Sequence, residues 1–135
     1  MIYRFLITVP AGTTKTNARE TELKLSRGIV HQVFISFPPG PQGDAHLVLE
    51  REGHQVWPSN PEEDFAWDSY TFPFRDFLPI ESEPYSMYAK MWNDDNANAY
   101  PIQVILCILP REVLEGVREE LGILKRMERL IFGGK

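Results

Sequence analysis

The chain has 135 residues, 43% of them hydrophobic and 24% charged, with a formal net charge of −5. That length fits one domain plus a tail, long enough to bury a core without staples, and the composition excludes a disordered chain. The acidic balance argues against general binding to nucleic acid, the one cysteine excludes an internal disulfide, and no apolar run approaches the roughly 20 residues of a membrane-spanning helix.

Residues 3–9 (YRFLITV) alternate and are rich in β-branched and aromatic side chains, which predicts a strand rather than a signal peptide. Pro10-Ala11-Gly12 ends it, and residues 13–19 are polar and predicted to be loop. Residues 21–25 place Leu23 and Leu25 on one face. In residues 29–37, Ile29, Val33, Ile35 and Phe37 are expected to share a face, with His31 among them. The run PPGPQG at 38–43 breaks the chain. Residues 45–51 and 54–57 read as two strands joined by a tight turn at Glu52-Gly53. After a polar loop, residues 69–74 predict a strand near a sheet edge, because Pro73 cannot donate to a central ladder. Residues 85–92 alternate as a further strand, NDDNAN at 93–98 is a turn, and residues 100–109 (YPIQVILCIL) form the most apolar strand. Cys107 falls in this run and is expected to be a small buried core residue. About eight short strands with no intervening helices predict an all-β antiparallel sandwich, jelly-roll or Greek-key in type, over residues 1–110.

Residues 111–135 differ. They follow Pro110, balance acids against bases, and carry Leu114, Val117, Leu121, Leu124 and Ile131 at coiled-coil spacing. Gly116 and Gly122 each cost about 1 kcal/mol of helix propensity relative to Ala. The expectation is a C-terminal amphipathic helix whose apolar residues mediate oligomerisation or partner binding.

Chemistry-bearing residues are sparse. His46 and His54 flank the predicted hairpin, and His31 is the third histidine, but two histidines without further ligands do not make a zinc site. Asn93, Asp94, Asp95, Asn96 and Asn98 crowd oxygens into one loop, as calcium requires, yet turns prefer these same residues. Glu62, Glu63, Asp64, Asp68, Glu81 and Glu83 are plentiful but framed by no catalytic motif. Trp57, Trp67 and Trp92 sit at strand ends or in loops, where an indole either stacks on a ligand or caps the core. These readings predict no enzyme, no cofactor and no metal.

The run ITVPAGTTKTNARETELKLSRGIVHQVFISFPPGPQG, followed by HQVWPSNP, MWNDDN and ILPREV, resembles small β-sandwich virion structural proteins of bacterial viruses, over most of the chain up to about Glu112. The resemblance implies a virion component, capsid-decorating or tail-associated, made in the host cytoplasm and present in multiple copies. It carries over no functional residues. The leading expectation is therefore a non-enzymatic virion structural protein. It would self-associate and dock on other virion structural proteins through its terminal segments, with no nucleic-acid or membrane partner. The alternative is a carbohydrate- or receptor-binding module that stacks a glycan on Trp57, Trp67 and Trp92.

Overall fold

The computed structural model describes residues 1–116. Eight strands follow one another: β1 (Ile2–Val9), β2 (Arg19–Lys24), β3 (Gly28–Phe37), β4 (Ala45–Arg51), β5 (His54–Trp57), β6 (Tyr70–Ile80), β7 (Ser86–Asn93) and β8 (Tyr100–Leu109). A 3₁₀ turn, Lys15–Asn17, lies between β1 and β2, and residues 111–116 are helical.

The strands form two four-stranded sheets, ordered β1-β8-β3-β6 and β2-β7-β4-β5, and every pairing is antiparallel. Only β4 and β5 are consecutive strands that pair; every other connection crosses between the sheets. This is the jelly roll, two Greek keys wrapped into a sandwich.

Alternation along each strand builds the core. Ile102, Val104, Leu106 and Ile108 of β8 face inward against Met87, Ala89 and Met91 of β7 and Ala45, Leu47 and Leu49 of β4, all fully buried. Burial of one such large aliphatic side chain contributes about 1.5–3 kcal/mol. Among the described residues, no buried side-chain nitrogen or oxygen lacks a hydrogen-bond partner.

Three local expectations are corrected. First, the register of β3 against β8 shifts between Val30 and Gln32, where His31 is the extra residue. The shift reverses the phase, so Val30 joins the core cluster with Val33, and Ile29 does not. Second, Cys107 is half-buried and lies on the outer face of β8, because alternation gives the core to Leu106 and Ile108. Third, β6 runs on to Ile80 through Pro73 and Pro79; it is an edge strand, where a missing N–H is tolerated. At the tight turn, Glu52 and Gly53 both adopt positive φ (51° and 79°), the type I′ geometry of a two-residue hairpin.

The connections β1–β2, β3–β4, β5–β6 and β7–β8 gather at one end of the sandwich. Backbone hydrogen bonds join them there: Gly12 to Asp95, Asn93 to Thr13, Asp94 to Asp44, and Ser69 to Pro38.

Candidate functional site

This loop end holds the most concentrated arrangement of polar and aromatic groups. Its segment between β5 and β6 is anchored at Phe65, which makes two 2.9 Å backbone hydrogen bonds with Leu47. The Phe65 ring packs on Phe72 and Phe74, with centroids 5.3 and 5.7 Å away. With Phe65 held down, Trp67, two residues on, projects outward and is 58% exposed.

Beside Trp67 is an open pocket of about 560 Å³ lined by Gln42, Gly43, Ala66, Trp67 and Asp68. Asp68 braces it. One carboxylate oxygen accepts the Gly40 and Gln42 amide N–H groups, each at 2.9 Å, and the other accepts the Ser69 hydroxyl at 2.8 Å. These donors, the Gln42 amide first, hold the Asp68 carboxyl below the usual carboxylate range. Three described non-glycine residues have positive φ, and two of them, Gln42 (48°) and Ser69 (49°), flank this pocket. Such backbone costs of order 1–3 kcal/mol where it is strained and concentrates at functional sites.

Tyr100 supports the same loop from beneath. Its hydroxyl donates to Asp95 at 2.5 Å and lies 3.3 Å from the Gly40 carbonyl. A side chain at Gly40 would strain a φ of +117° and approach the Tyr100 ring to 3.2 Å, so glycine is required there. Hydrogen bonding, from Tyr100 foremost and then the Ala97 amide and the Asn98 side chain, lowers the Asp95 carboxyl to about 2. The same Asp95 contact raises the Tyr100 phenol above its ordinary value.

His46 ties in the remaining loops. Its Nδ1 is 2.8 Å from Asp64 and its Nε2 is 2.9 Å from Asp94. A neutral ring donates to one of these carboxylates, an imidazolium to both. The ring stacks on Trp92 at 5.1 Å, nearly parallel, and the Lys15 ammonium sits 5.3 Å from the Trp92 ring centroid.

The structure separates the three tryptophans predicted for ligand stacking. Trp57 is 3% exposed, its indole N–H donates to Asp76 at 2.7 Å, and its ring packs on Phe74. Trp92 is 5% exposed beneath His46 and Lys15. Neither presents a face to a ligand; Trp67 alone of the three does. Sequence position could not distinguish them, because Trp57 is covered by residues of β6 and Trp92 by residues of β4 and the 3₁₀ turn.

Other candidates are also placed. His46 and His54 do not approach each other: His46 pairs with Trp92, while His54 pairs with Arg51 at the far end of β4. Asp95 and Asn93 spend their side-chain oxygens on donors within their own loop, including the Ala97, Asn98 and Asp95 amides. Among the described residues, no group of three His, Cys, Asp or Glu is arranged to hold a metal ion. The loop carboxylates diverge, with Asp64 on His46, Asp68 on backbone amides and Glu81 on Arg111. Leu114 is half-buried in the helical start; Val117, Leu121, Leu124 and Ile131 lie outside the described residues. Among the described residues, no helix is long and apolar enough to cross a membrane. A second concavity, of about 570 Å³, lies at the opposite end among Glu22, Lys24, Glu83 and Tyr85, with no tryptophan in its wall.

No protein-family model and no curated protein matches the chain. Similar solved structures include hydroxypropylphosphonic acid epoxidase from S. wedmorenis in complex with fosfomycin, and FeII HppE. Each has a TM-score of 0.41 and 6% sequence identity; the match covers 78% of this chain and 43% of the other. The chain thus spans less than half the length of these structures. A likeness at this level brings no activity to this chain. The leading functional expectation is not kept: the similar structures found are of an enzyme and not of virion components, and the virion structural role is withdrawn. The expectation of a non-enzymatic protein likewise gains no support from them.

Proposed function

We propose that this jelly roll is a ligand-binding module and that its ligand is a saccharide ring laid against Trp67. The observation that carries the reading is the 58% exposed indole at the wall of a braced, open pocket. Exposing so large an apolar ring sacrifices burial that a merely structural tryptophan would take. One face of a pyranose is a plate of C–H groups that suits an indole face, and its rim of hydroxyls needs polar partners. The exposed Gln42 side chain offers both a donor and an acceptor at that rim. Asp68 has its oxygens engaged by backbone amides and the Ser69 hydroxyl, so it shapes the pocket rather than reading the ligand.

A panel of immobilised glycans tests this. The native chain should bind at least one glycan. Trp67→Ala should weaken that binding about tenfold or more, the equivalent of roughly 1.4 kcal/mol, with an unchanged melting temperature. Binding that survives Trp67→Ala would refute the assignment.

A further inference from the structure

We infer that the Trp67 site selects a positively charged saccharide, one whose rings bear ammonium groups in place of some hydroxyls. The inference rests on the saccharide reading of the site and adds the charge of the ligand.

The chain's charge is unevenly placed. The four connections at the loop end are residues 10–18, 38–44, 58–69 and 94–99. Asp44 is in the second, Glu62, Glu63, Asp64 and Asp68 are in the third, and Asp94 and Asp95 are in the fourth. Set against Lys15 in the first, these seven acids leave −6, whereas the whole chain carries −5. All of the net negative charge therefore stands at the end that holds Trp67, and the other residues together balance to +1. A proton on His46 would bring the end only to −5.

The fold does not cancel this charge. Among the described residues, none of the seven acids pairs with a lysine or an arginine. Asp68 and Asp95 accept from amides and hydroxyls, neutral donors that favour the ionised carboxylate and leave its charge in place. The Asp44, Glu62 and Glu63 carboxylates accept no hydrogen bond among the described residues. The Lys15 ammonium lies over the Trp92 ring, not at the pocket. Two of the acids border the pocket itself: Asp68 is in its wall, and Asp44 follows Gly43, which lines it.

Charge of one sign around an open site concentrates counter-ions there and repels ions of its own sign. The acids need not touch the ligand, because their summed field sets the preference. Trp67 adds a contact of the same preference, since an ammonium is attracted to the face of an indole. A saccharide bearing carboxylates or sulfates loses on both counts, and a neutral one gains on neither.

The test compares short oligomers of glucosamine, glucose and glucuronic acid, matched in linkage and length. Each is titrated onto the full chain by calorimetry at about pH 5.5, above the range of unperturbed carboxylates and with the sugar amines protonated. The glucosamine oligomer should bind about tenfold more tightly than the glucose oligomer, and the glucuronate oligomer most weakly. The advantage should shrink at about 1 M sodium chloride, where the screening length falls to about 3 Å. Asp44→Asn, Glu62→Gln and Glu63→Gln together should narrow it, with the affinity for the glucose oligomer and the melting temperature unchanged. Equal affinity for the glucosamine and glucose oligomers, both lost in Trp67→Ala, would overturn the charge inference and leave the saccharide reading standing. An advantage indifferent to salt and to the three substitutions would also overturn it. So would a linear polyamine that competes as well as the glucosamine oligomer, because charge without a ring would then suffice. If none of the three oligomers binds in a Trp67-dependent way, the saccharide reading falls and this inference with it.

Discussion

Tyr100 joins the core to the loop end. Its ring is 9% exposed, while its hydroxyl holds Asp95 and reaches the Gly40 carbonyl. The bond favours ionised Asp95 and neutral Tyr100, so stability depends on pH at both extremes. Asp95 sits at about 2 in the fold, below the roughly 3.9 of an unperturbed aspartate. Its contribution is therefore present above about pH 4 and is lost as pH falls toward 2. The Tyr100 phenol is raised, so its contribution is present below about pH 10 and is lost as pH climbs through the raised value. Tyr100→Phe should shallow the decline in melting temperature at both extremes, measured by circular dichroism from pH 2 to 11. A decline identical to that of the native chain would show that other groups control it. The sequence placed Tyr100 at the start of a strand, but Asp95 and Gly40 as joint partners of its hydroxyl required the fold. Cys107 shows a complementary gap: an unbroken apolar run does not say which of two alternating sets faces inward.

At the scale of elements, strands were legible wherever local pattern suffices. Residues 45–51, 54–57 and 100–109 are strands within the predicted bounds, and the Glu52-Gly53 turn has its predicted place. The failures have physical causes. The His31 bulge against β8 changes the phase of β3 without a glycine or proline to announce it, and the edge position of β6 lets two prolines stand within a strand. The site loops were legible as loops, from PPGPQG and from the polar run after Trp57, but their mutual brace was not. Asp68 lies 26 and 28 residues from the amides that it accepts. Asp68→Ala should therefore leave the sandwich folded and loosen the pocket. Amide exchange at Gly40 and Gln42 should quicken at least about tenfold if both bonds protect these amides, the equivalent of roughly 1.4 kcal/mol. Affinity at Trp67 should fall with it. Unchanged exchange would mean that the brace is not formed in solution.

At the scale of the molecule, eight regularly spaced strands pointed to a sandwich, and the observed strand order is that of a jelly roll. The order follows from pairings such as Ile2 with Cys107, which depend on complementarity across the whole chain rather than on any local signal. The result is a rigid two-sheet frame with a braced loop end. The proposed role of that loop end is ligand binding. The most direct test of the binding claim is a heteronuclear NMR titration of the three tryptophan indole N–H signals with a saccharide taken from the glycan panel. The account predicts that one indole signal shifts in a saturable way, and that it is the signal missing from Trp67→Ala. The Trp57 signal, held by its bond to Asp76, and the Trp92 signal should stay in place. No saturable shift at Trp67 with any saccharide, or a shift at Trp57 or Trp92 in its stead, would contradict it.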